Sequence, residues 1–217
     1  MTTIIFDLDG TLVDSAPDIH ASINRMLVEE GQEILDLATV ISFIGNGLPK
    51  LVERVMLRQQ MDMEQHGRIT ADVLSIYENN SVNLSRPYPG MEAALKSLQT
   101  SGFRMGVCSN KPRGPAVIML REMGLDDYFG AVIGGDSLPT RKPEPEMLQR
   151  TLSELGGGPA LYVGDSEIDA ETAVNAGIGF ALFTEGYRKS PVEDIPHDYA
   201  FGDFRHLSDI VARHFAA

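Results

Sequence analysis

A chain of 217 residues can hold one large domain, or a core domain carrying a smaller insertion. Its 43% hydrophobic and 23% charged residues are those of an ordinary globular protein, and without an apolar run long enough to cross a bilayer no transmembrane helix is expected. The formal charge of −13 argues against broad attraction to nucleic acid or anionic membrane, so a small anionic substrate would need positive charge supplied locally at its site.

The chain opens on Thr2-Thr3-Ile4-Ile5-Phe6 and stops at Asp7-Leu8-Asp9-Gly10, which reads as a buried parallel strand closed by a turn. This entry has no basic region and no small-residue cleavage site, so no secretory signal is expected. The lone Cys108 cannot form an intramolecular disulfide, which fits a cytoplasmic location.

From Asp14 to Arg86 the pattern is helical, with apolar residues at Ile19, Ile23, Met26 and Leu27, then Leu48, Leu51, Val52, Val55 and Met56. Pro17 and Pro87-Tyr88-Pro89-Gly90 punctuate its ends. We expect a helical cap over 14–86 inserted into a core made of 1–13 and 87–217, the alternative being an extra helical layer fixed to that core.

Four further strand-like runs follow: Phe103–Cys108, Ala131–Ile133, Ala160–Val163 and Gly179–Phe183. Helical patterns over Gly114–Met123, Glu144–Leu155 and Glu167–Ala176 separate them. Alternation at this pace predicts an α/β protein with a doubly wound parallel sheet and right-handed crossovers.

In such a sheet ligands bind at the carboxyl ends of the strands, where Asp7 and Asp9 stand two residues apart. Paired carboxylates need a cation or a shared proton, and hard Mg2+ suits oxygen donors and substrate phosphate. A carboxylate there can attack phosphorus, and its neighbour can shuttle the proton. An isolated Asp-x-Asp is more often a surface turn, but the full Asp-x-Asp-Gly-Thr string favours catalysis. A calcium EF-hand fails, because Thr11 and Leu12 stand where a ligand and the invariant glycine belong.

Asp7-Leu8-Asp9-Gly10-Thr11-Leu12-Val13-Asp14-Ser15 resembles the first motif of the haloacid dehalogenase superfamily. In the phosphatase branch the resemblance makes Asp7 the nucleophile and Asp9 the general acid and base. It also implies that magnesium is held by the Asp7 side chain and the Asp9 backbone carbonyl. Three later segments are similar to the remaining motifs, in order. Ser109 and Asn110 after the second strand would hold substrate; alone they read as a turn or helix cap. Lys142 before Pro143 would neutralise phosphate and hold Asp7, although most lone lysines are solvated. Asp165 would bind metal and Asp169 would fix metal waters or Lys142, while helix capping at Asp165 or Ser166 can hold at the same time.

The helical insertion resembles the C1 type of cap, and Phe43–Leu51 with Tyr88-Pro89-Gly90 resembles the phosphoglycolate phosphatase group. This implies a Mg2+-dependent phosphomonoester hydrolase forming a phospho-aspartate on Asp7, with 2-phosphoglycolate as substrate. Lys50 is expected to meet the substrate carboxylate. Relatives of this architecture also hydrolyse pyrophosphate, nucleotides and sugar phosphates, or act as hexose-phosphate mutases. The partner is thus expected to be a small phosphorylated metabolite, without nucleic acid or membrane; the oligomeric state stays open. A phospho-receiver module with Asp136 as acceptor is the non-enzymatic rival, disfavoured by the insertion and by Lys142 preceding a proline.

Overall fold

The computed structural model describes residues 2–79 and 83–216. The chain runs β1 (Thr3–Phe6), β2 (Val13–Asp14), α1 (Ala16–Glu29), α2 (Leu37–Phe43), α3 (Leu48–Arg58), α4 (His66–Glu78), β3 (Arg86–Pro87), α5 (Met91–Thr100), β4 (Arg104–Cys108) and α6 (Arg113–Glu122). It continues through β5 (Ala131–Ile133), α7 (Glu146–Glu154), β6 (Ala160–Gly164), α8 (Glu167–Ala176), β7 (Gly179–Phe183), β8 (Tyr199–Phe201) and α9 (Leu207–Ala216).

The main sheet is parallel throughout, in the order β5-β4-β1-β6-β7-β8. Alternation along each strand divides the core into two layers. Ile4, Phe6, Met105, Val107, Leu161 and Val163 face one side with buried residues of α5, α6 and α9. Ile5, Cys108, Ala131, Ile133, Tyr162 and Leu182 face the other with α7 and α8. Helices therefore cover both faces, as expected. The chain leaves β1 toward β4 and β5, then crosses back to β6 on the other side of β1. The carboxyl end of β1 thus lies at the reversal in strand order, where an open α/β sheet leaves a crevice.

All five strands read from the sequence are present. The structure adds α5, α9 and the edge strand β8, together with β2 and β3, which pair antiparallel as Val13 with Pro87 and Asp14 with Arg86. That short pair draws together the two ends of the helical insertion. Asp18, buried in α1, reinforces the closure by accepting from the Leu84 and Ser85 amides and from the Ser85 hydroxyl at 2.6–3.1 Å. Within the insertion α1 packs on α2 and α4, and α3 on α4. Residues 80–82 of the expected cap lie outside the described residues. Among the described residues no helix is long and apolar enough to cross a membrane.

Candidate active site

Four loops at the carboxyl ends of the strands assemble the site. Asp7 directly follows β1, and the turn that leaves it depends on Gly10, whose φ is +88°. A Cβ at Gly10 would lie 2.4 Å from Asp165 Oδ2, so this glycine provides both the turn and the approach of the two acidic loops. Thr11 Oγ1 then donates to Asp165 Oδ1 at 2.7 Å, and the Tyr187 amide donates to Asp165 Oδ2 at 2.6 Å.

Lys142 enters from the segment before α7 and is almost fully buried. Its Nζ lies 3.0 Å from Asp7 Oδ1 and 2.7 Å from Asp169 Oδ1, and donates to the Tyr162 hydroxyl at 2.9 Å. The Tyr162 hydroxyl in turn donates to the same Asp169 oxygen at 2.7 Å. Asp169 Oδ2 closes the capping box of α8 by accepting from the Ser166 amide at 3.1 Å and hydroxyl at 2.6 Å. Asp169 therefore caps its helix with one oxygen and fixes Lys142 with the other.

The charge balance follows from this burial. Desolvation pushes the Asp7 carboxyl up to about 6; Lys142 opposes that rise and Asp169 adds to it. Burial also drives Asp165 well above the ordinary carboxylate range, with Asp169 and Asp7 adding repulsion. For Asp169 burial acts upward too, yet Lys142, Ser166 and Tyr162 together hold it below its usual value. Asp7, Asp165 and Asp169 each offer a buried oxygen, and these oxygens lie within 4.8 Å of one another. Asp7 Oδ1 is ion-paired to Lys142 but lacks an aligned hydrogen bond. Three buried carboxylates, two of them resisting ionisation and two of them paired to Lys142, form a donor set suited to a hard divalent cation. Asp165 accepts only from neutral donors, Thr11 and the Tyr187 amide, whereas Asp169 is already paired to Lys142 and caps α8; an added cation would therefore relieve Asp7 and Asp165 most.

Asp9 points away from this cluster, toward the insertion. Its carboxylate accepts from Ser15 Oγ at 2.6 Å and from Lys111 Nζ at 3.1 and 3.3 Å. Ser15 is the N-cap residue of α1 yet makes no side-chain cap. Its hydroxyl is committed to Asp9, and the buried start of the helix is satisfied by Tyr187, whose hydroxyl accepts from the Ala16 amide at 2.8 Å. Ser109 lies beside the Asp7 carboxyl and opposes its upward shift, while its hydroxyl accepts from the Lys111 amide at 3.4 Å.

The structure brings Asp7, Asp9, Ser109, Lys142, Asp165 and Asp169 to one place. Asn110 is also there, but its amide donates to the Lys142 and Gly45 carbonyls at 3.0 and 3.2 Å, and its carbonyl accepts from the Lys142 amide at 3.0 Å. Its polar atoms are thereby spent on holding neighbouring backbone. Lys50 is elsewhere: it lies on α3, pairs with Glu53 one turn along at 2.6 Å, and keeps about half its side chain in solvent. It does not line the pocket over Asp7.

Lys111, for which the sequence suggests no role, lines that pocket. Lys111 Nζ also donates to the Tyr77 hydroxyl of α4 at 2.7 Å. Burial would lower this ammonium, but Asp9 and Tyr77 outweigh it and hold it above the ordinary lysine value. A cavity of about 80 Å³ lies between Asp7 and the insertion, walled by apolar groups such as Ile19, Leu48, Leu51 and Val73. Among the described residues, Lys111 is the only cationic side chain lining it. Asp136, the alternative phospho-acceptor, instead accepts from the Arg113 amide at the start of α6 at 2.7 Å.

Residues 4–183 match the sequence profile of the haloacid dehalogenase-like hydrolases. Over 219 aligned positions spanning both chains entirely, the protein is 47% identical to a phosphoglycolate phosphatase from a strain of Cereibacter sphaeroides. Over 210 positions, covering 96% of this chain and 95% of the other, it is 48% identical to a phosphoglycolate phosphatase of Rhodobacter capsulatus. A crystal structure described as a predicted phosphoglycolate phosphatase from Haemophilus somnus 129pt superposes with a TM-score of 0.90 at 32% identity, covering 96% of this chain and 97% of that one.

Proposed function

We infer, from the premise that this chain belongs to the haloacid dehalogenase-like hydrolase family, that it is a Mg2+-dependent phosphomonoester hydrolase acting on 2-phosphoglycolate. The observation that carries the substrate is Lys111, a single buried cation in a small apolar cavity beyond the carboxylate pair. Phosphoglycolate presents a carboxylate one carbon beyond its phosphoester oxygen. The cavity of about 80 Å³ opens directly over Asp7 and Asp9, so a substrate whose second anionic group lies close to its phosphate can reach Lys111 from there. In this reading residues 14–86 are the cap, residues 1–13 and 87–217 are the core, and the enzyme works in the cytoplasm.

The Asp7 carboxylate attacks phosphorus and the phosphoester bond breaks, with Asp9 giving its proton to the departing glycolate oxygen. Ser109 and Lys142 hold phosphoryl oxygens while charge redistributes. Asp9, now ionised, takes a proton from water as that water attacks the phosphorus of the aspartyl phosphate. Phosphate leaves and Asp7 is regenerated. Mg2+, held by Asp7, Asp165 and the Asp9 carbonyl, would supply positive charge to the carboxylates and phosphoryl oxygens.

Ranking a panel of phosphorylated metabolites by kcat/KM with Mg2+ tests the substrate. Phosphate recycled between positions of a sugar, instead of being released, would identify a mutase. Lys111→Met is expected to lower kcat/KM for phosphoglycolate by roughly 10–150-fold, the range of one hydrogen bond to a charged group. The loss should be smaller for p-nitrophenyl phosphate, which has no carboxylate. Equal losses on both would mean that Lys111 serves Asp9 and not the substrate.

The metal assignment carries a pH signature. Asp7 and Asp165 resist ionisation, so loading the site at mildly acidic pH must displace protons. Mg2+ affinity should therefore rise from pH 5 to pH 7, with proton release measurable by calorimetry in buffers of different ionisation heat. A pH-independent affinity would remove these carboxylates from the metal site.

A further inference from the structure

The segment Phe43–Gly47 joins α2 to α3 and contributes Ile44, Gly45 and Gly47 to the cavity wall. Four consecutive residues of it are held by side chains. Arg54, from within the insertion, donates to the Phe43 carbonyl and to Asn46 Oδ1, each at 2.7 Å. The intervening positions are held from the sheet side, where Asn110 donates to the Gly45 carbonyl and Lys189 Nζ donates to the Ile44 carbonyl at 3.0 Å. Gly47, at φ +82°, comes so close to the sheet loops that a Cβ would lie 3.0 Å from the Asn110 carbonyl oxygen.

Lys189 lies in the loop between β7 and β8, and that loop has its own anchor. Glu167, the first residue of α8, accepts from the Lys189 and Ser190 amides at 2.8 and 2.5 Å through one carboxylate oxygen. The sequence offered no role for either residue. Together they link the start of α8, two residues beyond Asp165, to the wall on the far side of the cavity.

We propose that Lys189 is a positioning residue that holds the Phe43–Gly47 strap over the substrate through the Ile44 carbonyl, with Glu167 fixing the loop from which it reaches. The proposal rests on the phosphatase reading only in placing the substrate beneath the strap. Arg54 and Asn110 hold the strap on either side of Ile44, so losing Lys189 loosens one tie among several. The substrate should then bind less tightly, while the groups that touch phosphorus stay in place.

The test pairs amide hydrogen exchange of residues 41–48, measured without metal or substrate, with steady-state kinetics on phosphoglycolate and Mg2+. For Lys189→Met we expect about five-fold faster exchange in that segment and about a five-fold higher KM, with kcat within two-fold of wild type, the scale of one hydrogen bond. Lys189→Arg, which keeps a donor, should restore both. Glu167→Gln should move both in the same direction by less, and it carries the test if Lys189→Met does not fold. Unchanged exchange, faster exchange with an unchanged KM, or an Arg variant as impaired as Met would each overturn the positioning role. Wild-type protein inactive on phosphoglycolate would overturn the proposed substrate and leave the exchange measurement interpretable.

Discussion

Asp7→Asn is expected to abolish phosphate release, by at least about 10⁴-fold, because an amide cannot attack phosphorus and no aspartyl phosphate can form. The same change should leave the metal-free protein as stable as wild type or more so. Asp7 is buried with its carboxyl raised from 3.8 to about 6, so keeping it ionised at neutral pH costs on the order of 3 kcal/mol. The sign follows from linkage. A carboxyl raised on folding contributes its full stability below pH 4 and loses it as pH rises through about 6. Without metal, the stability advantage of Asp7→Asn should therefore grow between pH 4 and pH 6.5 and then level off. Added Mg2+ should narrow it. Thermal melts across that range with and without the metal read the effect, and near-normal turnover by the variant would place the nucleophile elsewhere.

The second large effect is at Lys142. Replacing it with Met leaves Asp7 and Asp169 facing each other in a buried site without the ammonium that lies 3.0 and 2.7 Å from them. Removing one partner of a buried ion pair costs about 3–5 kcal/mol, and the rate should fall by about 10³-fold or more as phosphoryl charge loses its counter-charge. Adding Asp169→Asn to Lys142→Met should return part of the stability and none of the rate, because it removes a stranded charge without replacing the cation. A stable, active Lys142→Met protein would contradict the electrostatic account of the site.

The parts of the fold that were legible in sequence are those with their own periodicity. Five core strands are short apolar runs, and α8 begins and ends where its pattern does, at Glu167 and Ala176. The helix α5 was legible too, since Met91, Ala94, Leu95 and Leu98 repeat at helical spacing, but the turn at Tyr88–Gly90 drew the eye instead. The β2–β3 pair could not be read: two residues per strand carry no period, and only pairing across more than seventy residues defines them. The strand β8 is three residues long and set by its neighbour β7.

The site divides in the same way. Asp7, Asp9, Ser109 and Asp165 follow strand ends, Lys142 precedes α7 and Asp169 lies in the first turn of α8, all in recognisable strings that the structure gathers. Lys111 was missed although it shares the local context of Lys142: each immediately precedes a proline in a loop at the carboxyl end of the sheet. Lys50 is the lysine of the insertion that follows the Gly-Asn-Gly-Leu-Pro turn, but it pairs with Glu53 on the surface of α3. The insertion contributes Tyr77, and the sheet loop contributes the charge. No local pattern reveals such a contact, because its partners are 34 residues apart and meet only when the two layers pack.

The placement of β1 at the middle of the sheet also bears on how the protein is made. The strand that ends at Asp7 is made before the rest of the sheet, yet its neighbours begin at Arg104 and Ala160. The bond from Thr11 to Asp165 spans 154 residues. At roughly 5–20 residues per second, β1 waits on the order of ten to thirty seconds for β6, with its apolar edge bare and its carboxylates unpartnered. The helices of the insertion have nearby partners and can form during that delay. Such long-range closure is slow, so the candidate site is begun with the first strand of the sheet and completed only after β6 and α8 have followed.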